Sequence, residues 1–253
     1  MNRREFDAYA RRNRTIDAGA RRAFDALWTS LGVEDVASSQ EALARYMTPL
    51  ADRLGKVSAL NAAEFYDSCR ASGKARGAYE AVTAQGRLWH VERDIAYAAS
   101  AEFAYEDPAA FLRMCLESTV RDYGRETILF NADRDPQCTG YMSMPTGDDP
   151  CAFCIIKALG TYWNYQGRRL TEEISDDAWH ANCTCELTPI FDDIPDWASE
   201  RMDEYGEMYS AGRADAEKET GHKTLTANEV VNGMRRANGI DTHGGRRNQG
   251  DDA

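Results

Sequence analysis

Two short stretches, DDPCAFC at residues 148–154 and WHANCTC at residues 179–185, gather four of the chain's seven cysteines and one of its four histidines. Thiolate sulfur and imidazole nitrogen are the donors that zinc favours in tetrahedral sets of four, and two ligands separated by two residues chelate one ion from a tight turn. Cys151 and Cys154 have that spacing, and His180 and Cys183 repeat it. Cys185 supplies one donor more than four-coordination needs. On an extended segment side chains two apart point the same way, so Cys183 and Cys185 are expected to face one ion together. The spacing leaves open whether His180 is a ligand or a hydrogen-bond donor to a four-cysteine site.

A metal also answers a need of the surrounding segment. Residues 133–192 read as a small α+β unit with short antiparallel strands. Pro, Gly and Asp punctuate a brief extended run at 139–144, and GTYWNYQ and CTCELTPIF are expected as further strands. Between them CAFCIIKALG is expected to make one or two helical turns. So few strands bury little apolar area, and a structural zinc contributes on the order of 10 kcal/mol or more to such units. The competing readings are buried free thiols and disulfides formed outside the cell. Cys69, Cys115 and Cys138 stand alone and are assigned to packing.

Upstream, residues 1–132 read as helix after helix. Phe6, Tyr9, Asn13, Ile16, Ala20, Ala23 and Leu27 recur at steps of three and four and form one apolar seam, on which polar Asn13 fixes register at some loss of stability. A second helix is expected to start with Ser38 and Glu41 as a capping box and to be kinked or interrupted at Pro49. A third covers VSALNAAEFYDSCRAS, with Leu60, Ala63, Tyr66 or Asp67, and Arg70 on the helical period, and Gly73 and Gly77 loosening its end. Residues 79–107 are expected to be helical, and a last helix opens with Asp107 as N-cap and Pro108 at its first position. Downstream, residues 193–253 are expected to hold an acidic helix from Trp197 to Lys218, a turn at TGHK, a helix from Thr226 with Glu229 completing a capping box, and a loose tail. The fold class is therefore mainly α with a small α+β zinc-binding-like module.

Charge narrows the function. With 30 basic and 42 acidic residues the formal net charge is −12, which argues against a general binder of nucleic acid or acidic membranes. The arginine-rich opening, MNRREFDAYARRNRTIDAGARR, is a local exception. No apolar run of membrane-spanning or signal-peptide length is present, and clustered cysteines in odd number suit a reducing cytoplasm better than a secreted disulfide framework.

The pattern C-x2-C, about 25 residues, then H-x2-C-x-C followed by ELTPIF resembles the signature of the Mu F-like family of phage head morphogenesis or minor capsid proteins. AAEFYDSCR is similar to a segment upstream of that module in actinobacteriophage members. Family members commonly carry arginine between the last two cysteines, where this chain has Thr184, a departure outside the ligand set. The resemblance implies a structural protein of the virion, inside the head near the portal and in the host cytoplasm during assembly. Its implied partners are the portal protein, with the major capsid or scaffolding protein as further candidates. The charge of the arginine-rich first helix makes packaged DNA a candidate contact, beside the plainer readings of a solvated face or attraction to the acidic stretch near the other end. No membrane partner is expected. Two enzymatic alternatives compete. A capsid maturation protease needs a triad known by geometry, and no G-x-S-x-G elbow is present. A metal-dependent nuclease needs a histidine free to activate water, which His180 is not if it holds zinc. A zinc deaminase fits poorly, because Asn182 stands where its catalytic glutamate belongs.

Overall fold

A computed structural model describes residues 1–146, 150–166, 183–191 and 193–240. Among them are seven helices, α1 (Arg3–Leu31), α2 (Val36–Ser72), α3 (Trp89–Ala98), α4 (Pro108–Arg134), α5 (Ala152–Tyr165), α6 (Asp196–Thr220) and α7 (Ala227–Asn238). Two strands, β1 (Gly140–Met144) and β2 (Glu186–Ile190), complete the set, so the chain is mainly α with one small antiparallel sheet. The chain divides into two compact units, Met1–Cys138 and Thr139–Ala253.

In the first unit α1, α2 and α4 pack side by side, with α3 against α2 and α4. Helix α1 is capped by Asn2, whose Oδ1 accepts from Glu5 N at 3.1 Å while Glu5 Oε2 accepts from Asn2 N at 2.8 Å. Its buried stripe is Phe6, Tyr9, Ala10, Asn13, Asp17, Ala20 and Phe24. The expected seam is right at its first half, but Ile16, Ala23 and Leu27 are only partly buried and Asp17 and Phe24 take their places. A straight helix of 3.6 residues per turn drifts off a strict seven-residue repeat. The drift brings a carboxylate inward, and α4 meets it with a cation: Arg121 Nε donates to Asp17 Oδ2 at 3.0 Å. Burial pushes the Asp17 carboxyl up in spite of that arginine. Beside it Arg21 forks onto Glu117 at 2.9 and 3.0 Å. Asn13 meets Asn61 of α2, whose Nδ2 donates to Asn13 Oδ1 at 2.6 Å, so the polar seam residue fixes how α1 sits on α2.

Helix α2 corrects three expectations. It starts at Val36, capped by Asp35, which takes the Ser38 N–H at 2.8 Å. It also runs unbroken through Pro49 for 37 residues, so the second and third expected helices are one. Proline frees the carbonyl four residues back, here that of Arg45; Arg45 and Pro49 are both exposed, so water can satisfy it. Finally, the buried face of its second half is Ser58, Ala59, Ala62, Ala63, Phe65, Tyr66 and Cys69, while Leu60 is 58% exposed.

The helix expected over 79–107 shrinks to α3, because residues 79–87 form a strap without regular secondary structure. Side chains take the place of a partner strand along it. Asn131 Oδ1 accepts from Val82 N at 3.0 Å and from the Tyr79 hydroxyl at 2.8 Å, and Asn131 Nδ2 donates to Val82 O at 2.7 Å. Thr127 Oγ1 accepts from Ala84 N and Asp67 Oδ1 from Ala81 N, both at 3.0 Å. Gly86 of the strap and Gly55 of α2 both abut the Tyr123 ring, where any side chain would collide with it, and the Tyr123 hydroxyl donates to Asp52 at 2.9 Å. Helix α4 begins as expected, with Asp107 capping the Ala110 N–H at 3.0 Å and Pro108 in the first turn.

In the second unit β1 and β2 pair with Gly140 opposite Ile190, Met142 opposite Thr188 and Met144 opposite Glu186. Helix α5 lies against β1, and Thr161 Oγ1 accepts from Ser143 N at 2.9 Å, occupying part of the strand's outer edge. The strand expected at GTYWNYQ is instead the last turns of α5. Helices α6 and α7 pack together where Gly212 meets Gly233 and Met234, and a Cβ on either glycine would strike the opposite backbone. The capping box at Thr226 forms as expected, with Glu229 N donating to Thr226 Oγ1 at 3.3 Å and Thr226 N to Glu229 Oε2 at 2.7 Å. The tail from residue 241 lies outside the described residues.

The strap yields a direct test. Replacing fully buried Asn131 by alanine removes its bonds to the N–H and C=O of half-exposed Val82 and to the Tyr79 hydroxyl, each worth about 0.5–1.5 kcal/mol net of what water restores. Asn131→Ala is expected to lose about 2–4 kcal/mol in urea unfolding and to speed exchange of the Val82 amide. A loss within about 0.5 kcal/mol would mean the strap is anchored elsewhere.

Candidate metal centre

The two ends of the cysteine pattern are placed by two different elements. Cys151 sits at the start of α5, its carbonyl accepting from Ile155 N at 3.1 Å and its sulfur from Cys154 N at 3.4 Å. It therefore caps the helix with sulfur, at the end where the helix dipole favours a thiolate. Cys154 follows one turn later and is buried.

On the other side, residues 183–185 lead into β2. Cys183 and Cys185 are each 1% exposed while Thr184 between them is exposed, the alternation expected of an extended segment. Thr146, just past β1, donates its hydroxyl to Thr184 O at 2.9 Å and ties this segment to the far end of the other strand.

These elements bring the sulfurs of Cys154, Cys183 and Cys185 within 4.8 Å of one another. Cys154 Sγ and Cys183 Sγ are 3.7 Å apart, and Cys151 packs against the trio. All seven cysteines are free thiols. A tetrahedral ion with sulfur at about 2.3 Å separates its ligands by about 3.8 Å, so the donor set and its spacing fit a soft, four-coordinate cation. Without a cation the same packing works against ionisation: the Cys154 thiol is pushed far up, chiefly by its hydrogen bonds with Cys151, Cys183 and Cys185, with burial adding to it. A bound divalent cation reverses that balance, because a coordinated thiol gives up its proton.

His180 lies outside the described residues, so four of the five sequence-predicted donors are located and one is not. Cys69 and Cys115, assigned to packing, are buried on α2 and α4, and burial pushes both thiols up, as for inert core cysteines. Cys138 is partly exposed. Sequence reasoning missed the contribution of α6. Tyr205 is 3% exposed, and its phenol is pushed up by burial, with the charges of Cys185 and Cys154 adding and Arg201 opposing. Arg201 Nε donates to the Tyr205 hydroxyl at 2.9 Å and so satisfies the polar tip of a buried ring near the sulfurs. An i, i+4 arginine–tyrosine pair on an acidic helix carries no sequence signal of that role.

Comparison with known proteins adds the family. A family model described as VG15 protein matches residues 1–212, from the first helix through the cysteine-bearing turns to Gly212 of α6. Neither a curated protein nor a solved structure matches the chain. Since the match takes in 212 of 253 residues, all of the first compact unit and the second as far as Gly212, the chain belongs to the VG15 family, a family of phage proteins.

Proposed function

We propose that this protein is a structural component of a tailed-phage head, a minor capsid or head morphogenesis protein of Mu F-like type. It docks on the portal or the inner capsid surface during assembly. Its places are the interior of the head near the portal and, before that, the host cytoplasm. The portal protein is the direct partner, with the major capsid or scaffolding protein as further contacts. The observation that carries this reading is the closure of the C-x2-C and C-x-C elements on one buried point in a chain of a phage family.

In this reading the ion is zinc, and its role is structural. The ligand set is drawn from Cys151, Cys154, His180, Cys183 and Cys185. Support comes from donor chemistry and burial: sulfur-rich, enclosed sites are the structural kind, whereas catalytic zinc keeps an open position. Among the described residues the sheet has two strands, and the sulfur cluster sits where α5 begins and β2 is about to start. Zinc there links the helix start to the strand start and stabilises the unit on the order of 10 kcal/mol. The long helices of the first unit then supply the docking surface. No described helix is long and apolar enough to cross a membrane.

Two measurements bear on this. Reduced, freshly purified protein is expected to carry about one zinc per chain by elemental analysis, with Cys154→Ser and Cys183→Ser largely metal-free and unfolding at lower temperature; metal-free wild type with an unchanged melting curve would contradict the zinc role. In infected or reconstituted assemblies the protein is expected to co-purify with portal oligomers, and its deletion to lower infectious yield. Separation of the two throughout assembly, with yield intact, would contradict the docking role.

A further inference from the structure

The charge of this chain is unevenly spread. Residues 1–138 hold 19 basic and 21 acidic residues, whereas residues 139–253 hold 11 and 21, so nearly all of the net −12 belongs to the second unit. Within the first unit α1 goes further, with seven basic residues, all arginine, against four acidic ones. The structure sorts these arginines into two groups.

Three are committed. Arg3 pairs with Asp7 at 3.1 Å, Arg12 with Glu64 at 3.0 Å and Arg21 with Glu117 at 2.9 Å. The four acids of α1 are committed as well. Glu5 takes Asn2 N and the Ser72 hydroxyl, Asp7 takes Arg3, Asp17 takes Arg121 and Asp25 takes Arg113. That leaves Arg4, Arg11, Arg14 and Arg22, all exposed and with no side-chain hydrogen bond or ion pair among the described residues. At 100° per residue the four fall within an arc of about 80°, and from Arg4 to Arg22 they extend over about 27 Å of helix. Asp7 and Asp25 fall within that arc, where each is paired, with Arg3 and Arg113 respectively.

We propose that this arginine face is a binding surface for the phosphate backbone of duplex DNA, independent of base sequence. Guanidinium matches phosphate oxygens in a two-pronged fork, and its charge persists at any physiological pH. A rod of charge about 27 Å long meets phosphates wherever it lies along a duplex, because each strand offers one about every 3.4 Å of axis. A carboxylate partner must instead match position for position. Of the exposed acids of α6, Asp196, Glu200, Asp203, Glu204 and Glu207 share one face and cover about 17 Å, while Glu219 lies about 60° outside their arc, so that face would leave part of the arginine face unmatched. Residues 139–253, with 11 basic and 21 acidic residues, repel DNA on balance, whereas the arginine face of α1 attracts it. The inference stands on α1 alone and does not depend on the portal reading.

The test is fluorescence anisotropy of a labelled duplex of arbitrary sequence, titrated with the full chain at stepped salt. Four phosphate contacts predict a slope of log Kobs against log salt of about −3.6. Each of Arg4→Gln, Arg11→Gln, Arg14→Gln and Arg22→Gln is expected to reduce its magnitude by about 0.9, and the quadruple variant to lose salt-dependent binding. Arg12→Gln, on another face and already paired, serves as the charge-matched control and is expected to keep the wild-type slope. Because all four side chains are exposed, melting temperatures are expected to stay near wild type; if the quadruple variant unfolds, the four single variants carry the test. A wild type that shows no binding at low salt, or a quadruple variant that keeps the full slope, overturns the proposal. So does sedimentation showing salt-sensitive self-association that is abolished equally by the arginine changes and by Glu200→Gln with Asp203→Asn, since the face would then belong to a second copy's α6.

Discussion

The second unit depends on one convergence: sulfurs from the start of α5 and from the approach to β2 meet at 3.7 Å between Cys154 and Cys183. Everything near it is arranged by that meeting. The β1–β2 ladder ends at the Met144–Glu186 pair, next in sequence to Cys185, so sheet register and sulfur position are set together. A slip of one residue would turn Cys183 and Cys185 away and Thr184 inward. The Cys151 cap ties the same point to the direction of α5. Four packed thiols are a poor core by themselves, because their polarity is wasted and their volume small. As ligands of a cation they become a strong cross-link, which is what a two-stranded sheet requires.

The first unit is held together differently, by long helices whose contacts are polar at selected points. Asn13 with Asn61, Asp17 with Arg121, and Asn131 with the strap each replace apolar burial by a directed bond. Apolar packing is forgiving about rotation and sliding, whereas these pairs are satisfied in one alignment only. Around them the aliphatic and aromatic cluster of Phe24, Leu43, Met47, Ile95, Leu112 and Leu116 supplies the bulk of the burial. Stability and alignment are thus carried by different residues in the same interfaces.

Much of this was legible in the sequence, and the failures share a cause. Caps whose partners lie three residues away are legible at Asp107 and Thr226 because the physics is local, whereas at α2 two such local signals stand side by side and Asp35, not Ser38, takes the cap. The sulfur cluster was readable because paired donors at C-x2-C and C-x-C spacing can converge on one point from a tight turn and an extended segment. Pro49 misled because the cost of a proline depends on whether the freed carbonyl faces water, and that is a tertiary fact. The strap misled because its backbone is satisfied by Asn131, Thr127 and Asp67, distant residues that leave no periodic trace nearby. Asp17 was passed over because a carboxylate enters an interface only when a cation from another helix awaits it. Which arginines of α1 are spoken for likewise needed the partners on α2 and α4.

The central claim is that thiolates from both turns coordinate one ion. X-ray absorption at the zinc edge of the purified chain tests it most directly. The account predicts a first shell dominated by at least three sulfurs at about 2.3 Å. A shell made only of oxygen or nitrogen, or no absorption edge at all, would contradict it.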